Sequence, residues 1–363
     1  MTTSPRQSRA PTGADAAAGP AKKINLALQG GGAHGAFTWG VLDHLLSDER
    51  IAIEGISGTS AGAMNAVMLA DGLVRGGREE ARKRLGDFWR ASSLDGNLPA
   101  VQKGVLDRLF AFFPLENLPF QAWVDAWSHA LSPYDFNPLN INPLKELVEG
   151  FVDFERLRAS TAPQLFVSAT NVHTGRLRVF SKDKITVDAV MASACLPLLF
   201  RAVEIDGVPY WDGGYIGNPA IFPFFDATET VDVLVVQINP IVRRTTPMSS
   251  HEIMNRINEV TFNSSLLAEF RAIEFVGRLI DQGRLPHGIG PGQYRRINMH
   301  RIALDREART LNADSKLNND YDFFELLRDH GRRAAHRFLD AHFDDIGQRS
   351  TVDMRAEVTA EWA

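Results

Sequence analysis

Residues 55–62 read Gly-Ile-Ser-Gly-Thr-Ser-Ala-Gly, GISGTSAG. They close a strand-like run that starts at Ile51 and open an apolar run from Ala61 to Leu73. Two readings compete. In one, the stretch is a glycine-rich turn in which Ser60 caps the next helix. In the other it is a nucleophile elbow, whose strained turn pushes Ser60 out as an attacking group. Gly58-Thr59-Ser60-Ala61-Gly62 is G-x-S-x-G, where Gly58 and Gly62 flank the serine because the turn leaves no room for Cβ atoms. The strand before it and the helix after it are the required context. The positive end of that helix also faces Ser60.

Working outward, Lys23–Gln29 reads as a strand with Ile24, Leu26 and Leu28 on one face. Gly30-Gly31-Gly32-Ala33-His34-Gly35 follows, then a helical stretch from Ala36 to Leu46, a strand from Ile51 to Ser57, and a buried helix from Ala61. This order implies parallel strands with their loops gathered at the C-terminal ends. The glycine loop also fits the dinucleotide fingerprint G-x-G-x-x-G. That reading wants an acid at the C-terminal end of the second strand. Glu54 lies inside the strand instead, and the end carries Gly58-Thr59-Ser60. A serine attacking a carbonyl needs donors for the oxyanion, and the glycine amides can supply them. Neighbouring strands place the two loops side by side.

Downstream, residues 92–150 are punctuated by prolines and rich in large apolar groups, Leu109–Phe113 and Phe120–Trp127 among them. They read as a cap or lid of short helices. Leu165–Asn171 and Leu177–Ser181 resemble a hairpin, and Thr186–Cys195 a short helix. Val203–Tyr210 holds an Asp206-Gly207 turn, and Val231–Ile238 fits a buried central strand. His251–Asp281 and Asn318–Phe343 are helical in pattern, with a Gly/Pro loop at 283–292 between them. Trp211-Asp212-Gly213-Gly214 ends the Val203–Tyr210 hairpin, and Asp212 is the downstream acid that stands out.

The chain has 363 residues, 44% hydrophobic and 23% charged, enough for one large α/β domain with insertions. A net charge of −5 gives no bias towards nucleic acid. A single cysteine, Cys195, excludes an internal disulfide and reads as a small buried hydrophobe. No apolar run reaches the roughly 18 residues that span a bilayer. The first 22 residues lack an apolar core for a secretory signal and read as a disordered tail.

In combination, GGGAHG, GTSAG and DGG, in that order, resemble the bacterial patatin-like phospholipases. Ala192–Phe200, ASACLPLLF, resembles that family's Ala/Ser-rich stretch ending in proline. The likeness covers about residues 23–240. It implies a three-layer α/β/α sandwich around a mostly parallel sheet, with 92–150 as a helical cap insertion. Residues 23–240 are the expected catalytic domain, and 241–363, which no motif covers, read from their own pattern as a mainly helical region packing on it. The likeness implies a Ser60–Asp212 dyad without a metal or cofactor, with Asp212 as proton acceptor and Gly213 and Gly214 completing its motif. Gly30, Gly31, Gly32 and Gly35 build the oxyanion loop, joined by the Ala61 amide. The reaction implied is hydrolysis of lipid acyl esters through an acyl-enzyme. The large apolar groups of the cap are expected to touch lipid, and the expected location is the cytoplasm, peripheral to the inner membrane.

The family carries Arg or Lys where this chain has His34, a side chain that would be charged only part of the time near neutral pH. A conventional triad would instead recruit one of the six histidines after Asp212: His251, His287, His300, His330, His336 or His342. Trp123, Trp127 and Phe120 read as one packed helix face, and His173 as solvent-facing. Acyl transfer to another acceptor on the same scaffold, and a non-catalytic lipid-binding role, are the alternatives to hydrolysis.

Overall fold

The computed structural model describes residues 20–93, 132–137, 140, 142–161, 163–288, 290, 292–304, 315, 316 and 318–359. The expected tail up to residue 19, and the cap stretches Leu109–Phe113 and Phe120–Trp127, lie outside the described residues. In chain order the elements are β1 (Lys22–Leu28), α1 (Gly35–Ser47), β2 (Ile51–Gly58) and α2 (Ala61–Ala91). Then come α3 (Pro133–Phe136), α4 (Pro143–Phe151), α5 (Phe154–Ala159), β3 (Gln164–Asn171), β4 (Leu177–Ser181) and α6 (Val187–Ser193). The chain continues through β5 (Val203–Ile205), β6 (Val208–Asp212), α7 (Phe224–Ala227), β7 (Asp232–Gln237) and α8 (Ser250–Asp281). It ends with β8 (Asn298–Ala303), α9 (Tyr321–His342) and α10 (Met354–Thr359).

The eight strands form one sheet along the path β5-β6-β3-β2-β1-β7-β8, with β4 also on β3. The β1/β2, β1/β7, β2/β3 and β7/β8 pairs are parallel, while β4 and β6 run antiparallel to β3. Strand alternation feeds two cores. Leu26, Leu28, Leu234 and Val236 join the core beneath α1, α2 and α9. Ala27, Val233 and Val235 meet Phe224, Leu266 and Phe270 on the opposite face. The fold is therefore the expected helix–sheet–helix sandwich, with β7 buried along its whole length.

Three local features depart from the sequence reading. Strand β1 begins at Lys22, inside the stretch read as tail, because Lys22 Nζ donates to the carbonyls of Phe343 and Ile346 at 2.8 and 2.9 Å. Helix α2 continues to Ala91 but is broken at Gly76-Gly77, where Gly77 adopts φ +75°. Strand β8 is an element that the sequence reading did not expect. It forms the edge of the sheet beyond β7, and its outer side is met by residues 350–352: the Thr351 amide donates to the Met299 carbonyl at 3.0 Å. Glu54 is the extra residue of a bulge in the β1/β2 pairing and accepts the amides of Glu229 and Thr230 at 2.8 and 2.9 Å.

Candidate active site

Strand β3 sets the spacing of the site. Strand β4 takes one edge of β3 over residues 166–170, so β2 and β6 share the other edge. Gly58, the last residue of β2, pairs with Val167, and Asp212, the last of β6, pairs with Ala169. The ends of β2 and β6 therefore meet along one strand, roughly 6–7 Å apart at two residues' rise. Ser60 and Asp212 follow at that junction.

Ser60 is the second of the two residues between β2 and α2, and its backbone sits at φ 54°, ψ −124°. That is strained for any residue with a side chain, and such strain persists only where surroundings over-determine it. Here the surroundings are named. The Ser60 amide donates to Ser193 Oγ at 2.9 Å, and the Thr59 hydroxyl donates to the Gly217 carbonyl at 2.7 Å. A Cβ on Gly62 would strike the Leu28 carbonyl, and one on Gly58 the Gly62 carbonyl. Both glycines are thus required for α2 to start tight against β1 and β2.

Asp212 is 1% exposed, its carboxylate accepts a hydrogen bond from the Gly214 amide at 2.6 Å, and the Ser60 side chain lies beside it. Burial pushes its pKa up to about 7 against the opposing pull of the Gly214 amide and the Ser60 side chain. Gly213 has no room for a Cβ because the Ser168 carbonyl occupies the space. The strand is held from both sides: the Asp212 amide donates to the Cys195 carbonyl at 2.8 Å, and Thr170 Oγ1 donates to the Asp212 carbonyl at 2.8 Å.

The glycine loop lies against the elbow. A Cβ on Gly30 would lie 2.6 Å from the Thr59 carbonyl oxygen and 2.7 Å from the Ser60 Cβ. Gly30's own amide donates to Asn218 Oδ1 at 2.6 Å, and Gly35's amide is engaged with the Gly32 and Ala33 carbonyls. These two glycines therefore contribute space rather than donors. Gly31 and Gly32 lie between them, and Ala61 opens α2 beside Ser60, as the sequence reading places them. Gly32 takes φ +59°.

His34 departs from the expectation of partial charge. It is buried, its Nε2 lies 2.7 Å from Ser315 Oγ, and its pKa falls to about 3. Burial is the main cause, with the positive charges of Lys316 and Arg243 adding to it. The ring is neutral at any physiological pH. Three of the later histidines have carboxylate partners of their own: His300 joins Asp232 at 2.9 Å inside the sheet, His336 joins Asp340 and His342 joins Asp345. His173 is exposed, as expected. Cys195 is buried, and desolvation pushes its thiol up to about 12, so it packs as a neutral group. Among the described residues no cluster of three His, Cys, Asp or Glu could hold a metal, and no helix is long and apolar enough to cross a membrane.

Sequence reasoning missed Ser193, Asn218 and Asn239, which position the two loops. Ser193 falls in the Ala/Ser-rich stretch singled out earlier, so its signal was present. Asn218 and Asn239 lie in irregular segments after Asp212 and β7, where a lone Asn reads as a turn former.

Residues 26–225 match the family model described as "Patatin-like phospholipase". Among solved structures, VipD from Legionella pneumophila is 16% identical with a TM-score of 0.39, over 89% of this chain and 67% of that one. The ExoU–SpcU complex of the type III secretion system of Pseudomonas aeruginosa is 14% identical with a TM-score of 0.33. That alignment takes in 90% of this chain and 52% of its counterpart, so this chain spans about half of that longer one. No curated protein matches the chain.

Proposed function

Because the chain belongs to the patatin-like phospholipase family, we propose that it is a lipid acyl hydrolase whose Ser60 and Asp212 act as a dyad. The observation that carries this reading is the Ser60 side chain at the strained elbow set beside the buried Asp212 carboxylate, near enough to pull its pKa down. A serine hydroxyl is a weak nucleophile until a base takes its proton. In this mechanism Ser60 Oγ attacks the ester carbonyl while its proton passes to Asp212. The Gly31, Gly32 and Ala61 amides receive the oxyanion. As the tetrahedral species collapses, Asp212 returns the proton to the leaving alcohol and the acyl group remains on Ser60. Water then repeats the sequence against the acyl-enzyme, with Asp212 again as base. A pKa near 7 suits a group that must both accept and return a proton near neutral pH.

The test is Ser60→Ala, assayed on p-nitrophenyl acyl esters and a panel of phospholipids and lysophospholipids. The variant is expected to fold, to lose essentially all activity, and to resist labelling by a fluorophosphonate that marks the wild type. Activity beyond a few per cent of the wild-type rate would remove Ser60 from this role.

A further inference from the structure

Residues beyond the family match, Asn239 and Lys316 foremost, hold the glycine loop from behind. Asn239, just after β7, donates through Nδ2 to the Gly30 carbonyl at 2.7 Å. Asn218 Nδ2 approaches the same oxygen at 3.4 Å. Lys316 Nζ donates to Asn239 Oδ1 at 2.7 Å and lies 5.6 Å from the centre of the Phe262 ring. The same short segment touches the loop twice more: Ser315 Oγ lies 2.7 Å from His34 Nε2, and the Lys316 carbonyl abuts Gly32 so closely that a Cβ would collide with it.

In a trans peptide the C=O and N–H point in opposite directions. Groups that hold the Gly30 carbonyl therefore fix the Gly31 N–H, and fix it pointing away from Asn239. An amide backed by an ammonium also polarises the peptide it grips, which strengthens donation from the far side. We propose that Lys316 and Asn239 are positioning residues of the oxyanion hole. The ammonium sets Asn239, Asn239 sets the Gly30–Gly31 peptide, and the cation supplies from behind the loop the positive charge that neutral His34 does not. This rests on the oxyanion-hole reading of the loop given above.

The charge on Lys316 is itself tunable. Its pKa falls to about 8, chiefly through burial, with Glu259 on α8 pulling it up and Arg243 pushing it down. Glu259 is shared with Arg243 and Arg256 at 2.7 and 3.1 Å. The ammonium is present below pH 8 and lost above it, so wild-type kcat declines as pH rises through that value.

The experiment compares Lys316→Met, Lys316→Gln, Lys316→Arg and Asn239→Ala on one p-nitrophenyl ester across pH 6–10, with the fold checked by circular dichroism. Losing the relay lowers kcat by about tenfold to a hundredfold, less than removing an oxyanion donor outright, with KM within about twofold. Lys316→Met and Lys316→Gln lose the fall above pH 8, Lys316→Arg recovers most of the rate, and Lys316→Met combined with Asn239→Ala is no worse than the weaker single variant. A folded Lys316→Met or Lys316→Gln with wild-type kcat and an unchanged alkaline limb overturns the relay, as does a loss carried by KM. If Ser60→Ala is dead while these variants are fully active, the relay alone fails. An active Ser60→Ala brings down the hydrolase reading beneath it.

Discussion

Asp212 is one carboxylate asked to do two incompatible things, to stay buried and to ionise. An unfolded Asp titrates near 3.8, whereas burial holds this one at about 7. Between those values the folded chain binds the proton more tightly than the unfolded one, so this group's contribution to stability falls as pH rises through that window. Asp212→Asn keeps the shape and an acceptor for the Gly214 amide but removes the charge. The variant should melt higher than wild type above pH 7, with the gap closing towards pH 4, when both are followed by thermal denaturation. It should also lose several powers of ten in kcat, as nucleophile–base units do. The wild-type kcat/KM should rise with pH through about 7, because Asp212 must be ionised to accept the Ser60 proton. A variant that melts lower at pH 8, or a rate that falls across pH 6–7.5, would contradict this account.

At the scale of elements, α1 and α9 cross with backbone against backbone. A Cβ on Gly40 would strike the Arg328 carbonyl, and one on Gly331 the Phe37 carbonyl. Gly331→Ala or Gly40→Ala overpacks the crossing and should cost about 1–3 kcal/mol, read from the denaturant midpoint, with the sheet and site retained. Neither glycine announces this in the sequence, where each looks like a tolerated interior glycine. By contrast the elbow, the β3/β4 hairpin and the β5/β6 hairpin were legible, since each pairs a local turn signal with a run of β-type residues. Strand β8 was not. Asn298 and His300 occupy buried positions, both bonded to Asp232, and polar groups at inward sites erase the apolar pattern by which a strand is read. The candidate dyad could be picked out because its motifs are contiguous. Asn239 and Lys316 could not, because they are joined to the loop only by the fold.

The whole molecule shows why the C-terminal third is not an appendage. It supplies a strand of the sheet, the helix that covers α1, and the cation beside the glycine loop. The last described residues bear on solubility. An edge strand offers unpaired amides and carbonyls to any passing chain, and β8 is such an edge. Residues 350–352 occupy part of it, with the Thr351 and Val352 amides on the Met299 carbonyl and Ser350 Oγ on the Met299 amide, and Arg301 is pinned to Glu357 at 2.8 Å. A chain ending at Gly347 would leave that rim bare beside a β7 that is buried along its whole length. Such a truncation should still show its helical circular dichroism, yet associate with itself as concentration rises in light scattering, while the full chain at the same concentrations does not. The terminal segment then acts as a built-in guard against recruitment of a second β8 edge.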